Sequence, residues 1–239
     1  MKTVLITGAN KGIGFETAKQ LAQVGYFVYI GSRDKHKGTE AVEKLKILGL
    51  LNVACIEIDV TNINSIKAAR QELEARAQQL DVLINNAGIA GDQPQNISTG
   101  KIENLRNVFE TNFFGAIQTT QVFIDLLKKS DNARIVNVSS QLASLTFHST
   151  SQNSNHRIYD AYSCSKTALN AFTVMLAKEF SGTNLKVNSV EPGYTATALN
   201  KFKGTQTVEQ AAKVIVKYAT LDKDGATGKY FNKEGELTW

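Results

Sequence analysis

Short apolar runs rich in β-branched residues alternate with helical repeats from one end of this chain to the other, and that alternation leaves few folds open. Val4 to Thr7, Tyr26 to Gly31, Val53 to Asp59, Asp81 to Asn85, Arg134 to Ser139 and Leu185 to Val190 read as strands, with Lys229 to Phe231 as a last short one. Between them, Phe15 to Val24, Thr39 to Leu48, Ile102 to Lys129, Asp160 to Phe180 and Val208 to Tyr218 carry apolar residues at helical spacing. Ile63, Ile66, Leu73, Ala77 and Leu80 continue the pattern behind Asn62, a candidate N-cap. Strands this apolar, separated by helices, predict a parallel sheet covered on both faces. The expected fold is therefore α/β: a Rossmann-type doubly wound parallel sheet of about seven strands with helices on both faces. It is expected as a single domain over residues 1–239. Ligands of such sheets bind beyond the carboxyl ends of the strands, where the candidates below fall.

Composition narrows the function. No apolar run approaches the ~20 residues that span a bilayer, and the chain opens straight into a strand with no leader pattern, so a cytoplasmic location is expected. The net charge of +5 is spread along helices among acidic residues, not gathered with aromatics into one patch. A nucleic-acid surface is therefore not expected, and a small anionic ligand suits the bias. Cys55 and Cys164 lie far apart in unrelated contexts, and His36, His148 and His156 are scattered, so no metal site is expected.

The stretch Thr7-Gly8-Ala9-Asn10-Lys11-Gly12-Ile13-Gly14 follows the first strand and opens the first helix. Its glycines permit a tight turn and let backbone N–H groups approach a pyrophosphate, with the helix N-terminus adding partial positive charge. Dinucleotide binding is the reading, although the spacing is Gly-x-x-x-Gly-x-Gly and not the commonest Gly-x-Gly-x-x-Gly. An acidic residue about 20 positions on would take the ribose hydroxyls of NAD, whereas arginine would accommodate a 2′-phosphate. Here Arg33 and Asp34 compete. Gly31 and Ser32 leave room at the strand end, Arg33 follows at once, and Lys11 adds a second cation, so NADP(H) is preferred with NAD(H) possible. Asp34 reads as a partner for Arg33 or Lys37.

Tyr162 and Lys166 stand four residues apart, on one face of the predicted Asp160 to Phe180 helix. A cation near a phenol favours the phenolate and draws its pKa from near ~10 toward the range where proton transfer is efficient.

These motifs, in this order over nearly the whole chain, resemble the classical short-chain dehydrogenases/reductases. Asp59-Val60 is similar to the family's adenine-contacting pair, and Asn86-Ala87-Gly88, after Asn85, to its strand-four motif. Asn112 matches its helix asparagine and Ser140 its catalytic serine, with Ser139 as rival. Pro192-Gly193, with Thr195 and Thr197, resembles its nicotinamide loop. The resemblance implies that Tyr162 protonates a carbonyl oxygen as hydride arrives, and that Lys166 lowers the phenol's pKa and binds the nicotinamide ribose. It also implies that Ser140 holds the substrate oxygen and that Asn112 fixes a relay water behind Lys166. The substrate would be a small carbonyl compound or alcohol. The sequence is most similar to the NADPH-dependent carbonyl-reductase branch. A secondary-alcohol dehydrogenase and a non-catalytic NADP(H)-binding redox sensor stand as alternatives.

Ser140 and Tyr162 lie farther apart than is usual in the family. The extra segment, about 144–159, is expected as a loop at the site mouth that lines the pocket or covers the long helix many relatives use to oligomerise, leaving monomer and homodimer both open. His148 and His156 on it are candidate substrate contacts. Residues 194–207, polar and rich in small side chains, are expected as a flexible flap over nicotinamide and substrate.

Overall fold

Thr3–Ile6 sends its side chains alternately to two sides: Val4 and Ile6 enter one apolar cluster, Leu5 the other. The computed structural model, which describes residues 1–150 and 159–239, repeats this division in every long strand. The strands are β1 (Thr3–Ile6), β2 (Phe27–Ser32), β3 (Val53–Glu57), β4 (Val82–Asn85), β5 (Arg134–Val138), β6 (Lys186–Val190) and β7 (Lys229–Phe231). All pairings are parallel, in the order β3-β2-β1-β4-β5-β6-β7. The order reverses between β1 and β4, which opens a crevice at their carboxyl ends.

The helices are α1 (Gly12–Gln23), α2 (Lys35–Ile47), α3 (Ile63–Glu74), α4 (Ile102–Phe109), α5 (Gly115–Lys128), α6 (Leu145–Thr150), α7 (Asp160–Glu179) and α8 (Val208–Ala219). Leu21 of α1, Leu45 of α2 and Ile215 of α8 pack on one face of the sheet; Leu73 of α3, Phe123 of α5 and Leu176 of α7 pack on the other. Each such side chain, fully buried, contributes about 1.5–3 kcal/mol of transfer free energy. No helix among the described residues is long and apolar enough to cross a membrane.

A polar seam crosses the sheet just beneath the crevice. Asn85 Nδ2 donates to Asn137 Oδ1 at 2.8 Å, Asn137 Nδ2 to Thr173 Oγ1 at 2.8 Å, and Thr173 Oγ1 meets Ser189 Oγ at 2.8 Å. Buried bonds linked in this way hold β4, β5, β6 and α7 in one register.

Four expectations are adjusted. The long helix from Ile102 is continuous but carries a π turn at Glu110–Phe114 between α4 and α5. Helix α2 begins at Lys35, four residues before the predicted start, because the Asp34 carboxylate caps it by accepting from Lys37 N at 3.1 Å. Helix α3 stops at Glu74, and Leu80 reaches the core from a loop, its N–H bonded to Leu126 O at 3.1 Å. The segment expected as a loop from about 144 to 159 begins instead with α6, where Ser144 Oγ accepts from Phe147 N at 3.0 Å and starts the turn.

Candidate active site

The glycine loop closes the N-terminal side of the crevice. Gly8 and Gly12 have φ of 64° and 61°, a backbone that side chains rarely tolerate. A Cβ at Gly14 would lie 2.5 Å from Asn86 Nδ2 and 2.8 Å from Gly8 O, so no larger residue fits. Asn86 is a strut: its Nδ2 donates to Thr7 O at 2.8 Å and Gly8 O at 3.1 Å, while Asn86 N and Ala87 N donate to Thr7 Oγ1, both at 3.0 Å. Above Gly12 the space is open, and Thr197 Cγ2, 3.8 Å from where a Cβ would stand, is the nearest atom. No side chain caps the N-terminus of α1, where Lys11 is exposed and half-buried Ile13 packs on the core. The uncapped N-terminus of α1 suits an anion such as a pyrophosphate, with Asn10 and Lys11 at its edge.

At the end of β2, buried Ser32 donates from Oγ to Asp34 O at 2.8 Å. Asp34 is engaged by α2: besides capping it, the carboxylate pairs with Lys37 Nζ at 3.3 Å, and these bonds hold its pKa down. Arg33 is exposed and makes no ion pair among the described residues. Asp59 Oδ1 accepts from Thr61 N and Oγ1, at 3.0 and 2.8 Å. Val60 packs so close under Gly115 that a Cβ there would lie 2.8 Å from Val60 Cγ2.

Across the crevice, α7 brings Tyr162 and Lys166 together. Lys166 is 3% exposed; its Nζ donates to Val138 O at 2.7 Å and sits 5.9 Å over the Tyr162 ring. A Cβ at Gly88 would lie 3.6 Å from Lys166 Nζ, so the strand-four motif forms the floor beneath the ammonium. Ser140, just beyond β5, is half-buried; its Oγ accepts from Leu142 N at 3.3 Å and acts on the Tyr162 phenol by lowering its pKa. Its neighbour Ser139 turns away, donating from Oγ to Asn170 Oδ1 at 2.7 Å, which separates the two serines the sequence left as rivals.

Asn112 lies within the π turn, a helical irregularity frequent at functional sites. Its Oδ1 accepts from Ile89 N at 2.8 Å; its Nδ2 donates to Ile89 O and to Ser165 Oγ, each at 3.0 Å. Ser165 Oγ in turn donates to Tyr162 O at 2.7 Å. Both amide donors are thus taken by the protein, and the side chain ties α7 to the segment after β4.

Burial sets the protonation of the pair. It pushes the Tyr162 phenol up to about 12, with the Ser140 hydrogen bond pulling down and Glu191 pushing up. It lowers Lys166 to about 8. The expected depression of the phenol by Lys166 is not seen: both groups are desolvated together, and the ammonium points at Val138 O and not at the hydroxyl.

The nicotinamide-loop residues are tied by Gln206, which the sequence did not single out. Its Nε2 donates to Pro192 O and, at 3.0 Å, to Thr195 Oγ1; Thr195 Oγ1 donates to Gly193 O at 2.9 Å. Residues 194–207, expected as a flexible flap, are folded: Ala196 N donates to Gln206 O at 3.0 Å and Gln206 N to Tyr194 O at 3.1 Å. Leu199 and Phe202 protrude at the tip.

Two further contacts reach the candidate set, and an acidic residue lies beyond it. Buried Gln95 accepts on Oε1 from Tyr162 N at 3.2 Å and donates to Ala90 O at 2.6 Å. Tyr230 OH donates to Ser140 O at 2.5 Å, its ring stacked on Trp239 at 5.5 Å. Half-buried Glu191 follows β6. No sequence motif marks these residues; each acts across a long span of chain. His148 Nε2 bonds Leu142 O at 2.9 Å and so braces the turn after Ser140. His156 lies outside the described residues.

Comparison with known proteins gives a consistent picture. Residues 2–208 match the family model described as short chain dehydrogenase. Short-chain dehydrogenase anuI of Penicillium roqueforti is 36% identical over 96% of this chain and 92% of its own. Salutaridine reductase of Papaver bracteatum is 30% identical over 97% and 94%. Among solved structures, NADPH-bound carbonyl reductase from chicken fatty liver superposes with a TM-score of 0.85 at 28% identity, over 100% of this chain and 99% of that one.

Proposed function

Because this chain belongs to the short-chain dehydrogenase/reductase family, and is thereby an NAD(P)-dependent oxidoreductase acting on CH–OH and C=O groups, we propose that it is an NADPH-dependent carbonyl reductase using Tyr162 as proton donor. The observation that carries the reading is the grouping of Ser140, Tyr162 and Lys166 at the crevice, with Lys166 Nζ 5.9 Å from the Tyr162 ring centre. A protonated phenol there can act as the acid in reduction.

The cofactor, when bound, supplies the hydride that adds to the carbonyl carbon. The Ser140 hydroxyl and the Tyr162 phenol bind the substrate oxygen. As negative charge grows there, the Tyr162 O–H bond breaks and its proton forms the alcohol O–H. An alkoxide is a far stronger base than a phenolate, so this transfer runs downhill even from a phenol at about 12. Tyr162 is left as a phenolate, whose charge the Lys166 ammonium, 5.9 Å from the ring centre, offsets until solvent returns a proton. Asn112, Gln95 and Ser165 keep the α7 segment in place throughout.

The reading of NADPH over NADH rests on the β2 end, where Asp34 is occupied by Lys37 while Arg33 and Lys11 face solvent. A carbonyl reductase with NADPH among the structural neighbours supports it. Arg33→Ala is expected to raise KM for NADPH by roughly 10- to 100-fold, the loss of one charge-assisted bond, while NADH kinetics hold. Equal effects on both cofactors would shift the selectivity to other residues. The test of the whole reading is consumption of NADPH and NADH with α-dicarbonyls, quinones, aromatic aldehydes and β-keto esters. Tight NADPH binding without reduction of any carbonyl, or oxidation of any alcohol, would favour a redox sensor.

A further inference from the structure

Beyond Val138 the chain that carries the serine leaves the sheet. Ser139 N donates to Val190 O at 2.8 Å, and Ser140 lies past the β5–β6 register. Its lateral tie comes from two strands away: Tyr230, paired with Ser189 in β7, donates from its hydroxyl to Ser140 O at 2.5 Å. The same carbonyl accepts from Ala143 N at 2.8 Å, closing the short 3-10 turn Gln141–Ala143 that Ser140 caps. The peptide plane after Ser140 is thereby held from two sides, and with it the direction in which the residue presents its Oγ. The Tyr230 ring is fully buried and stacks on Trp239, with centroids 5.5 Å apart. Burial raises the Tyr230 pKa, so the hydroxyl keeps the proton it donates. Trp239 is fixed in turn, because Leu237 N donates to Tyr230 O at 2.7 Å. Trp239 O and Thr238 O accept from Thr146 N and Ser144 Oγ, both at 3.0 Å. The residues after β7 thus double back and fasten the segment from Ser140 to Thr146 at both ends.

Resting on the reductase reading, we propose that Tyr230, held by Trp239, is a positioning residue that aims the Ser140 hydroxyl at the substrate oxygen. The bond that Ser140 Oγ accepts from Leu142 N, at 3.3 Å, is too long to fix the side chain by itself. Misplacing a group at the reacting atoms by about 1 Å costs up to roughly 100-fold in rate. A contribution to stability alone would not pass through Ser140, whereas aiming the serine must.

That difference gives the test. Tyr230→Phe removes the hydroxyl but keeps the ring on Trp239, and Ser140 O keeps its bond from Ala143 N, so the variant is expected to fold. Wild type, Tyr230→Phe, Ser140→Ala and the double variant are compared on the carbonyl of the panel above that wild type reduces fastest. NADPH affinity and thermal midpoint serve as controls for cofactor site and fold. Tyr230→Phe is expected to lower kcat/KM by roughly 10- to 100-fold with NADPH affinity unchanged. In the Ser140→Ala background the same substitution is expected to cost less than about two-fold. Equal losses in the two backgrounds, or no loss in either, overturn the proposal. If Tyr230→Phe does not fold, Trp239→Ala and Trp239→Phe take its place in both backgrounds. Loss with alanine and recovery with phenylalanine, seen only where Ser140 is present, support the assignment; any other pattern removes it. Calorimetric binding of the same carbonyl compound to NADP+-loaded protein reads the cycle without turnover. A loss of binding that depends on Ser140, without turnover, would remove the reductase reading and leave Tyr230 as assigned. Turnover with equal losses would remove the assignment and leave the reading, and neither turnover nor binding would remove both.

Discussion

Tyr162→Phe is expected to lose about 10²- to 10⁴-fold in kcat for carbonyl reduction, the range that a positioned general acid supplies. Cofactor affinity is largely retained, because the ring still fills its place on α7. Rapid-mixing turnover and a fluorescence titration of NADPH separate the two. Ser140→Ala falls less, and the double variant is expected to be no slower than Tyr162→Phe, since residues that act on one oxygen are not additive. A Tyr162→Phe enzyme within a few-fold of wild type, on the order of experimental scatter for such comparisons, would move the proton donor elsewhere.

Lys166→Met is expected to cost on the order of 10²- to 10³-fold in kcat, as removal of a preorganised charge from a developing anion does. Its signature lies in pH. With Lys166 lowered to about 8 and Tyr162 raised to about 12, reduction by wild type should decline through an apparent pKa of about 8 while the phenol remains protonated. The variant lacks that step. Stability carries the same signature with a definite sign. Below pH 8 both folded and unfolded chains hold the Lys166 proton, and the full penalty of a buried ammonium applies. Between about 8 and the ordinary 10.5 the unfolded chain still binds it and the folded chain does not, so the penalty is relieved and stability rises with pH. The difference in urea midpoint between wild type and Lys166→Met should therefore move in favour of wild type from pH 7 to 10. A flat difference would mean that the buried ammonium titrates normally.

The sheet was legible because its strands are short apolar, β-branched runs set between helical repeats, as at Val4 to Thr7 and Asp81 to Asn85. The four catalytic candidates were legible as motifs, and the structure groups them. The π turn was not, because Val108, Ala116 and Phe123 keep a near-helical apolar period straight through it. Asp34 was weighed as a ribose ligand when its short-range bond to Lys37 N makes it a cap, a local feature the sequence does contain. Gln95 and Tyr230 were silent for the opposite reason: each meets its target only after crossover of a whole strand or loop. The burial that raises the Tyr162 phenol was not legible, because spacing tells which charge is near, whereas burial tells how little water is left.

The strand order has a consequence for how the protein is made. The ribosome delivers β1, β2 and β3 first, each new strand landing beside the last, and then β4 through β7 outward on the other side of β1. The sheet can thus assemble in the order of translation, with no strand inserted later between two already paired. The active site cannot. The Ser140 turn and α7 emerge long before Tyr230, whose hydroxyl holds Ser140 O, and before Thr238 and Trp239, whose carbonyls accept from Ser144 Oγ and Thr146 N, both at 3.0 Å. A nascent chain stalled after β6 would own Ser140, Tyr162 and Lys166 and still lack the brace that holds Ser140 O.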